Sequence, residues 1–275
     1  MSSSGQTDNN AHAKIGILDS GVGGLSVLLE IRKLLPHHPI EYIGDSEWCP
    51  YGNKPPELIQ QRMLHLSKHL IEQGASIIVI ACNSATIHGI VTLRSKFSIP
   101  FVGMEPAVKP ASETTKTNII GVLATEASIA GEKFHHLLHT HAPPSKIKVI
   151  TQPCPKFVDL VEAGTLTGKE VDAAVREYTQ PMLDAGADTL VLGCTHYPFL
   201  RKPIQEIVGT DVTLIDTGAA VARRVQSLLP TTEIAGTSNY ISVQTTGDIS
   251  LLETILPQLC PELTCEISPL TLSTL

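Results

Sequence analysis

Short apolar runs alternate with amphipathic stretches of helical length along most of the chain. Lys14–Leu18, Ile40–Gly44 and Ser76–Ala81 are apolar runs of the kind that forms buried parallel strands. Leu25–Leu35 and Pro56–Gln73 separate them and have the spacing of helices. The apolar face predicted for the longer helix consists of Leu58, Met63, Leu66 and Leu70. This alternation predicts an α/β fold with a parallel sheet.

The same organisation occurs a second time along the chain. Gly16–Ser20 resembles Gly121–Thr125, and Glu72–Cys82 resembles Asp184–Cys194 at a similar offset. The second match has an acidic residue, a Gly-Ala turn, a strand and a terminal cysteine in one register. We therefore predict an internal duplication that gives two similar parallel-sheet α/β domains, related by a pseudo-two-fold axis, with the active site in the cleft between them.

The predicted domains are not continuous in sequence. The first comprises residues 14–106 plus 217–275, and the second comprises residues 107–216. The returning stretch is predicted as a helix at Ala219–Leu229, a strand at Asn239–Thr245 and a helix at Leu251–Leu259. Residues 1–13 are polar, lack the apolar segment of a signal peptide and are predicted to form a disordered tail.

Composition narrows the class of protein. The chain has 275 residues, of which 42% are hydrophobic and 17% charged, as in an ordinary globular protein. The net charge of −7 argues against a nucleic-acid partner, which requires a basic face. No apolar run approaches the roughly 20 residues of a membrane helix, so we expect a cytoplasmic protein without a membrane partner. The six cysteines include no CxxC pair, and we predict free thiols and no metal site.

Cys82 and Cys194 both follow a predicted parallel strand, at the sheet edge where α/β proteins bind ligands. A helix N-terminus there favours the thiolate, so we expect a modest lowering of the pKa from about 8.5. Two thiols on opposite sides of one cleft suit the inversion of a carbon that bears a hydrogen. One removes the proton from one face while the other delivers a proton to the opposite face.

Small polar side chains adjoin both cysteines and are candidate donors to a substrate. Each has an alternative structural role, since most could cap a helix and a histidine could be a structural hydrogen-bonding group. The turn Gly21–Gly24 matches no nucleotide-binding motif, and we interpret it as a site for a substrate carboxylate. The candidate donors are Asp19, Ser20, Asn83, Ser84, Thr86, Thr195 and His196.

Four motifs together resemble the glutamate racemases of the aspartate/glutamate racemase superfamily. They are Asp19–Leu25, Pro50–Gly52, Ala81–Thr86 and Gly193–Pro198. The resemblance implies a cofactor-independent racemase that converts L-glutamate to D-glutamate for peptidoglycan, and hence for cell-wall biogenesis and cell shape. It also implies a cytoplasmic homodimer whose partner molecules are L- and D-glutamate.

The resemblance further implies roles for individual residues. Cys82 would deprotonate the D-isomer and Cys194 the L-isomer, assisted by Asp19, Glu162 and His196. The implied substrate-binding residues are Asp19, Ser20, Pro50, Tyr51, Gly52, Asn83, Ser84, Thr86, Thr125, Thr195 and His196. The chain departs from the family pattern at Trp48, where an arginine is usual, and at Ser84 and Ser128, where threonine is common.

Other functions remain open at this point. Aspartate racemase, or another amino-acid racemase of the superfamily, is the first alternative. A metal-binding or redox protein built on Cys82, Cys194 and His196 is a second, although this spacing is a poor zinc pattern. A non-catalytic amino-acid-binding module is a third, in which the second cysteine would have no purpose.

Overall fold

The computed structural model describes residues 13–229 and 240–272. Its strands are β1 (Lys14–Asp19), β2 (Ile40–Gly44), β3 (Ala75–Ile80), β4 (Phe101–Val102), β5 (Ile119–Ala124), β6 (Lys148–Pro153), β7 (Thr189–Leu192), β8 (Thr213–Ile215), β9 (Ile241–Thr245) and β10 (Glu266–Pro269). Its α-helices are α1 (Leu25–Leu34), α2 (Pro56–Glu72), α3 (Asn83–Lys96), α4 (Val108–Thr114), α5 (Glu126–Ala130), α6 (Glu132–His141), α7 (Pro155–Glu162), α8 (Lys169–Asp184), α9 (Arg201–Val208), α10 (Gly218–Leu228) and α11 (Ile249–Leu259). Short 3-10 helices occupy Ser46–Trp48, Tyr51–Asn53 and Tyr197–Leu200.

The strands form two parallel sheets. One has the order β10-β9-β2-β1-β3-β4 and the other has the order β6-β5-β7-β8. In the first, β1 pairs in parallel with both β2 and β3, and in the second β5 pairs in the same way with β6 and β7. The strands of the two predicted repeats therefore occupy corresponding positions, which confirms the two-sheet α/β prediction.

The C-terminal part of the chain returns to the first sheet. β9 pairs with β2, and β10 pairs with β9, so both strands extend the edge on the β2 side. The three elements predicted for this part are present, each shifted by two residues or fewer at the ends that the structure describes. Asn239 and residues 1–12 of the predicted tail lie outside the described residues, and the domain boundaries themselves stay predictions.

Helix α2 shows how apolar spacing sets the packing. Its buried face consists of Ile59, Met63, Leu66 and Leu70, at intervals of three and four residues. Leu58, which we assigned to that face, is 41% exposed, because the neighbouring Ile59 takes the core position. Within the described ranges, no helix has the length and apolar character needed to cross a membrane.

Candidate active site

Cys82 and Cys194 lie two residues beyond the ends of β3 and β7. Parallel strands end at one edge of a sheet, and the two edges face a common cavity of about 240 Å³ that both cysteines line. Both side chains are buried, with 7% and 8% of their surface exposed. The other predicted site residues that line this cavity are Ser20, Pro50, Tyr51, Gly52, Asn83, Ser84, Thr125, Thr195 and His196.

Cys82 is held by neutral donors at the start of α3. Its Sγ accepts hydrogen bonds from the N–H of Ala85 at 3.4 Å and from the hydroxyl of Ser20 at 3.6 Å. Burial, and after it the negative charge of Asp19, raises the pKa of this thiol to about 12. The expected lowering is therefore wrong for Cys82, because the two donors do not offset the loss of water around the sulfur.

Cys194 instead contacts a charged pair. Nδ1 of His196 lies 3.5 Å from its Sγ, and Nε2 of the same ring lies 2.7 Å from Oε1 of Glu162. Burial lowers the pKa of His196, but its contacts with Cys194 and Glu162 raise that pKa well above the ordinary value. Burial raises the pKa of Glu162, and the hydrogen bond to His196 lowers it below the ordinary value. Both directions favour an imidazolium between a carboxylate and a sulfur.

The glycine-rich turn binds anions, but these are carboxylates of the protein. Oδ2 of Asp19 accepts the N–H groups of Gly21 at 3.2 Å and Gly24 at 2.8 Å. Oε1 of Glu162 accepts the N–H of Val22 at 2.9 Å. The interpretation of this turn as a site for the substrate carboxylate is therefore wrong, since its donors already hold the two acidic residues.

Gly23 brings the same turn against the histidine ring. A Cβ at this position would stand 2.4 Å from Nδ1 of His196, closer than atoms in contact can approach. The glycine thus allows the turn to pack directly against the ring. Asp19 and Glu162 do not line the cavity. They affect it through the turn that they hold, through the ring of His196 and through their negative charges.

The fully buried carboxylate of Asp45 holds the loop that contains Pro50–Gly52 in place. The hydroxyl of Tyr51 donates to Oδ2 of Asp45 at 2.5 Å. Arg62 donates to both carboxylate oxygens, at 2.9 and 2.7 Å, and Thr246 donates at 2.7 Å. Because its hydroxyl is used in this way, Tyr51 presents its other atoms to the cavity.

Trp48 belongs to the support of this loop. The guanidinium of Arg62 lies 5.1 Å from the centroid of its ring, and the ammonium of Lys54 lies 5.7 Å from it. Both distances fit cation–π contacts. The position at which the resemblance led us to expect an arginine therefore holds an aromatic ring that covers the buried arginine of α2.

Two buried polar atoms near the thiols have no hydrogen-bond partner within the described part of the chain. They are Nδ2 of Asn83 and Oδ1 of Asp19. Burial raises the pKa of Asp19, which does not line the cavity, whereas Asn83 does line it. An unpartnered buried polar group costs free energy unless a ligand satisfies it, so the amide of Asn83 is a candidate donor to a polar substrate.

Thr86 is not part of the cavity. Its hydroxyl donates to the carbonyl of Ile80 at 3.3 Å and accepts the N–H of Met104 at 3.0 Å. It stands one turn into α3, on the side that faces β4, and its hydrogen bonds join the end of β3 to the segment after β4. Thr86 therefore does not line the cavity, and its role in substrate binding stays a prediction.

Thr125 has its predicted place but also a capping role. Its hydroxyl accepts the N–H of Ser128 at 3.2 Å and lies 2.8 Å from the hydroxyl of that serine. It thus caps α5 at the cavity wall.

Sequence reasoning missed Asp45 and Arg62. Asp45 directly follows the end of β2, in the way that Asp19 ends β1, so the strand-end rule that found Asp19 could have found it as well. Arg62 lies inside α2 and gave no such signal. Its role depends on the burial of Asp45 beneath the loop, which only the fold shows.

Comparison with known proteins supplies a family. The family model described as Asp/Glu/hydantoin racemase matches residues 26–225. The chain belongs to this family. A glutamate racemase of Pseudomonas entomophila is 48% identical over 254 residues, which cover 91% of this chain and 95% of that protein.

Solved structures agree with this assignment. A glutamate racemase isoform from Bacillus anthracis matches with a TM-score of 0.83 and 32% identity, covering 95% of this chain and 98% of its own. A glutamate racemase from Escherichia coli, solved with L-glutamate and the activator UDP-MurNAc-ala, matches with the same TM-score and identity, covering 93% and 98%. Members of this racemase family are isomerases, and this chain shares their fold.

Proposed function

We propose that the protein interconverts L- and D-glutamate without a cofactor, by proton transfer between the substrate and the two thiols of Cys82 and Cys194. The observation that carries this proposal is the placement of both thiols on one cavity, each at the end of a corresponding strand of the two sheets. A carbon held between them meets a proton acceptor on one face and a proton donor on the other.

Each thiol has its own means of activation. At Cys194, the imidazolium of His196 stabilises negative charge on the sulfur, and Glu162 holds the ring in place. At Cys82, no cation of the protein performs this task within the described residues, and Ser20 and the N–H of Ala85 supply only neutral hydrogen bonds. The ammonium group of a bound amino acid would supply the missing positive charge and lower the pKa of the Cys82 thiol from its raised value.

The cavity wall also offers donors for the carboxylates of glutamate. Helix α3 begins at Asn83, so its first N–H groups have no partner within the helix, and they adjoin the unpartnered amide of Asn83. The hydroxyl groups of Ser84, Thr125 and Thr195 line other parts of the same wall. Because these donors are fixed before substrate arrives, they stabilise charge that develops at the carboxylate during deprotonation.

Glutamate is favoured over aspartate by the comparisons, in which glutamate racemases of nearly equal length are 48% identical. Aspartate remains the second candidate substrate. A cytoplasmic location, a homodimer and a role in peptidoglycan synthesis stay predictions from the resemblance.

The proposal is tested by α-proton exchange in deuterated water, with purified protein dialysed against a chelator and with no cofactor added. We expect deuterium at the α-carbon of both glutamate isomers together with loss of optical rotation, and much slower exchange with aspartate. Cys82→Ala and Cys194→Ala should each abolish racemisation. Cys265→Ala, at a partly exposed thiol outside the cavity, is the control and should retain it. The absence of exchange with glutamate, or full racemisation by either cavity variant, would overturn the proposal.

A further inference from the structure

A third cysteine, Cys49, lies close to the pair formed by Glu162 and His196. Sγ of Cys49 is 3.6 Å from Oε1 of Glu162, which in turn is 2.7 Å from Nε2 of His196. The ligand atoms of these three residues all lie within 4.8 Å of one another. They come from three separate parts of the fold, namely the loop after β2, the last residue of α7 and the turn after β7.

We propose that Cys49, Glu162 and His196 bind Zn²⁺, and that the bound ion inhibits the enzyme by breaking the hydrogen bond with which Glu162 holds the ring of His196 beside Cys194. A thiolate, an imidazole nitrogen and a carboxylate oxygen are the three ligand types that zinc takes in proteins. Magnesium and calcium prefer sets made of oxygen alone, so this mixture selects a softer ion.

The separations of Glu162 from Cys49 and from His196 are near those of a tetrahedral ion, and the sulfur and the ring nitrogen lie within 4.8 Å of each other. Sulfur and oxygen ligands of such an ion stand roughly 3.5 Å apart, and nitrogen and oxygen ligands roughly 3.3 Å apart. The observed 3.6 Å between Cys49 and Glu162 already fits the first separation. The 2.7 Å between His196 and Glu162 must widen by roughly half an ångström, which the end of a glutamate side chain can accommodate.

Solvent can reach the cluster. The side chain of Glu162 is 23% exposed and Cys49 is partly exposed, whereas the side chain of His196 is 4% exposed. The ion would therefore enter past Cys49 and Glu162. Gly21 packs directly against the cluster, because a Cβ there would stand 2.0 Å from Oε1 of Glu162 and 3.0 Å from Sγ of Cys49.

Binding exchanges protons for the metal and involves no oxidation. Zn²⁺ replaces the thiol proton of Cys49 and the proton between His196 and Glu162, and both protons pass to solvent. The ion then occupies Nε2 of the ring, so the imidazole can no longer carry a proton on that atom. The charge of the ion replaces that of the lost protons, so the inhibition comes from position: with its hydrogen bond to Glu162 broken, the ring no longer holds its 3.5 Å contact with Sγ of Cys194. This inhibition rests on the proposed racemase activity, whereas the binding of the ion does not.

The test uses Co²⁺ as a spectroscopic probe for the site and Zn²⁺ as the competing inhibitor. Wild-type protein freed of metal should bind one Co²⁺ with a thiolate-to-metal charge-transfer band. Zn²⁺ should remove that band and lower racemisation over the same range of concentration. Cys49→Ser should lose the band and bind at least about tenfold more weakly. Cys265→Ser, the matched control, should behave like the wild type.

A second measurement needs no variant. Mass spectrometry of wild-type protein treated with iodoacetamide should find Cys49 alkylated without metal and protected by Zn²⁺. An ion that binds Cys49→Ser as tightly as wild type would be held by other residues and would overturn the proposal, as would alkylation of Cys49 unaffected by Zn²⁺. Metal bound at Cys49 with unchanged racemisation would overturn the inhibition alone. A protein that binds Co²⁺ as expected but racemises nothing would refute the proposed function and leave the site standing.

Discussion

The contact between His196 and Glu162 predicts which of the two proton transfers a change at Glu162 will slow, namely the one at Cys194. Glu162→Gln keeps the shape of the side chain and its acceptor oxygen but removes the negative charge 2.7 Å from Nε2 of His196. A hydrogen bond between charged groups contributes about 1.5–3 kcal/mol. If this free energy is lost when Cys194 holds negative charge, kcat/KM should fall about 10- to 150-fold.

The fall must be equal in the two directions, because enantiomers have equal free energies and their equilibrium constant is one. Isotope effects reveal which step has slowed. The step at Cys194 becomes more nearly rate-limiting, so the deuterium effect should rise for the isomer that Cys194 deprotonates and fall for the other isomer. Polarimetry with each α-deuterated isomer measures both values.

Ser20→Ala is the matched variant on the opposite side, since the hydroxyl of Ser20 donates to Sγ of Cys82. It should shift the two isotope effects in the reverse sense, with a smaller loss of rate because the donor is neutral. Isotope effects that change together in Glu162→Gln, or an unchanged kcat/KM, would refute the assignment of Glu162 to Cys194.

Three further predictions concern the support of the site and the pH dependence of folding. Gly23→Ala should lower kcat at least about tenfold, because its Cβ would displace the ring of His196; an unchanged kcat in steady-state kinetics would contradict this. Tyr51→Phe should destabilise the protein by about 2 kcal/mol in urea unfolding and raise KM, since Asp45 loses a donor; a change in neither would show that the loop is held by other contacts. Despite burial, hydrogen bonds from the loop before β5 lower the pKa of Asp188 to about 2. The resulting stabilisation, about 1 kcal/mol after solvent screening, should be present above about pH 4 and be lost as the pH falls towards 2. Asp188→Asn should remove this part of the pH dependence, and an identical pH profile for the variant would contradict it.

The sequence predicted the elements of this fold closely because its strands are buried on both faces and its helices have clear apolar stripes. It also predicted that Cys82 and Cys194 would meet, since the repeat puts each at the end of a corresponding strand. These features depend on local spacing and on the general rule that parallel strands end at one edge of a sheet.

What the sequence could not show depends on partners far apart along the chain. The N–H groups of the glycine turn were predicted to bind substrate, but the acidic residue at the end of β1 and Glu162 of α7 take them first. The pKa of Cys82 was predicted to fall, whereas burial raises it, and the degree of burial is a property of the assembled cavity. Cys49 gave no signal at all, because its neighbours come from α7 and from the turn after β7.

The two thiols have unequal surroundings, so the free enzyme is asymmetric at its active site although the strands of its two sheets correspond. Sγ of Cys194 lies beside the ring of His196, whereas Sγ of Cys82 has only neutral hydrogen-bond donors, so the two free forms of the enzyme differ in free energy. Turnover of one isomer consumes the form with a charged Cys194 and releases the form with a charged Cys82. We expect a proton to pass from Cys194 to Cys82 through the substrate-free cavity before the next molecule of the same isomer can react. At saturating substrate this proton transfer, rather than deprotonation of the α-carbon, should limit the rate. A tracer-perturbation experiment near equilibrium would detect it, and the absence of any perturbation at high substrate concentration would show that the two free forms exchange faster than turnover.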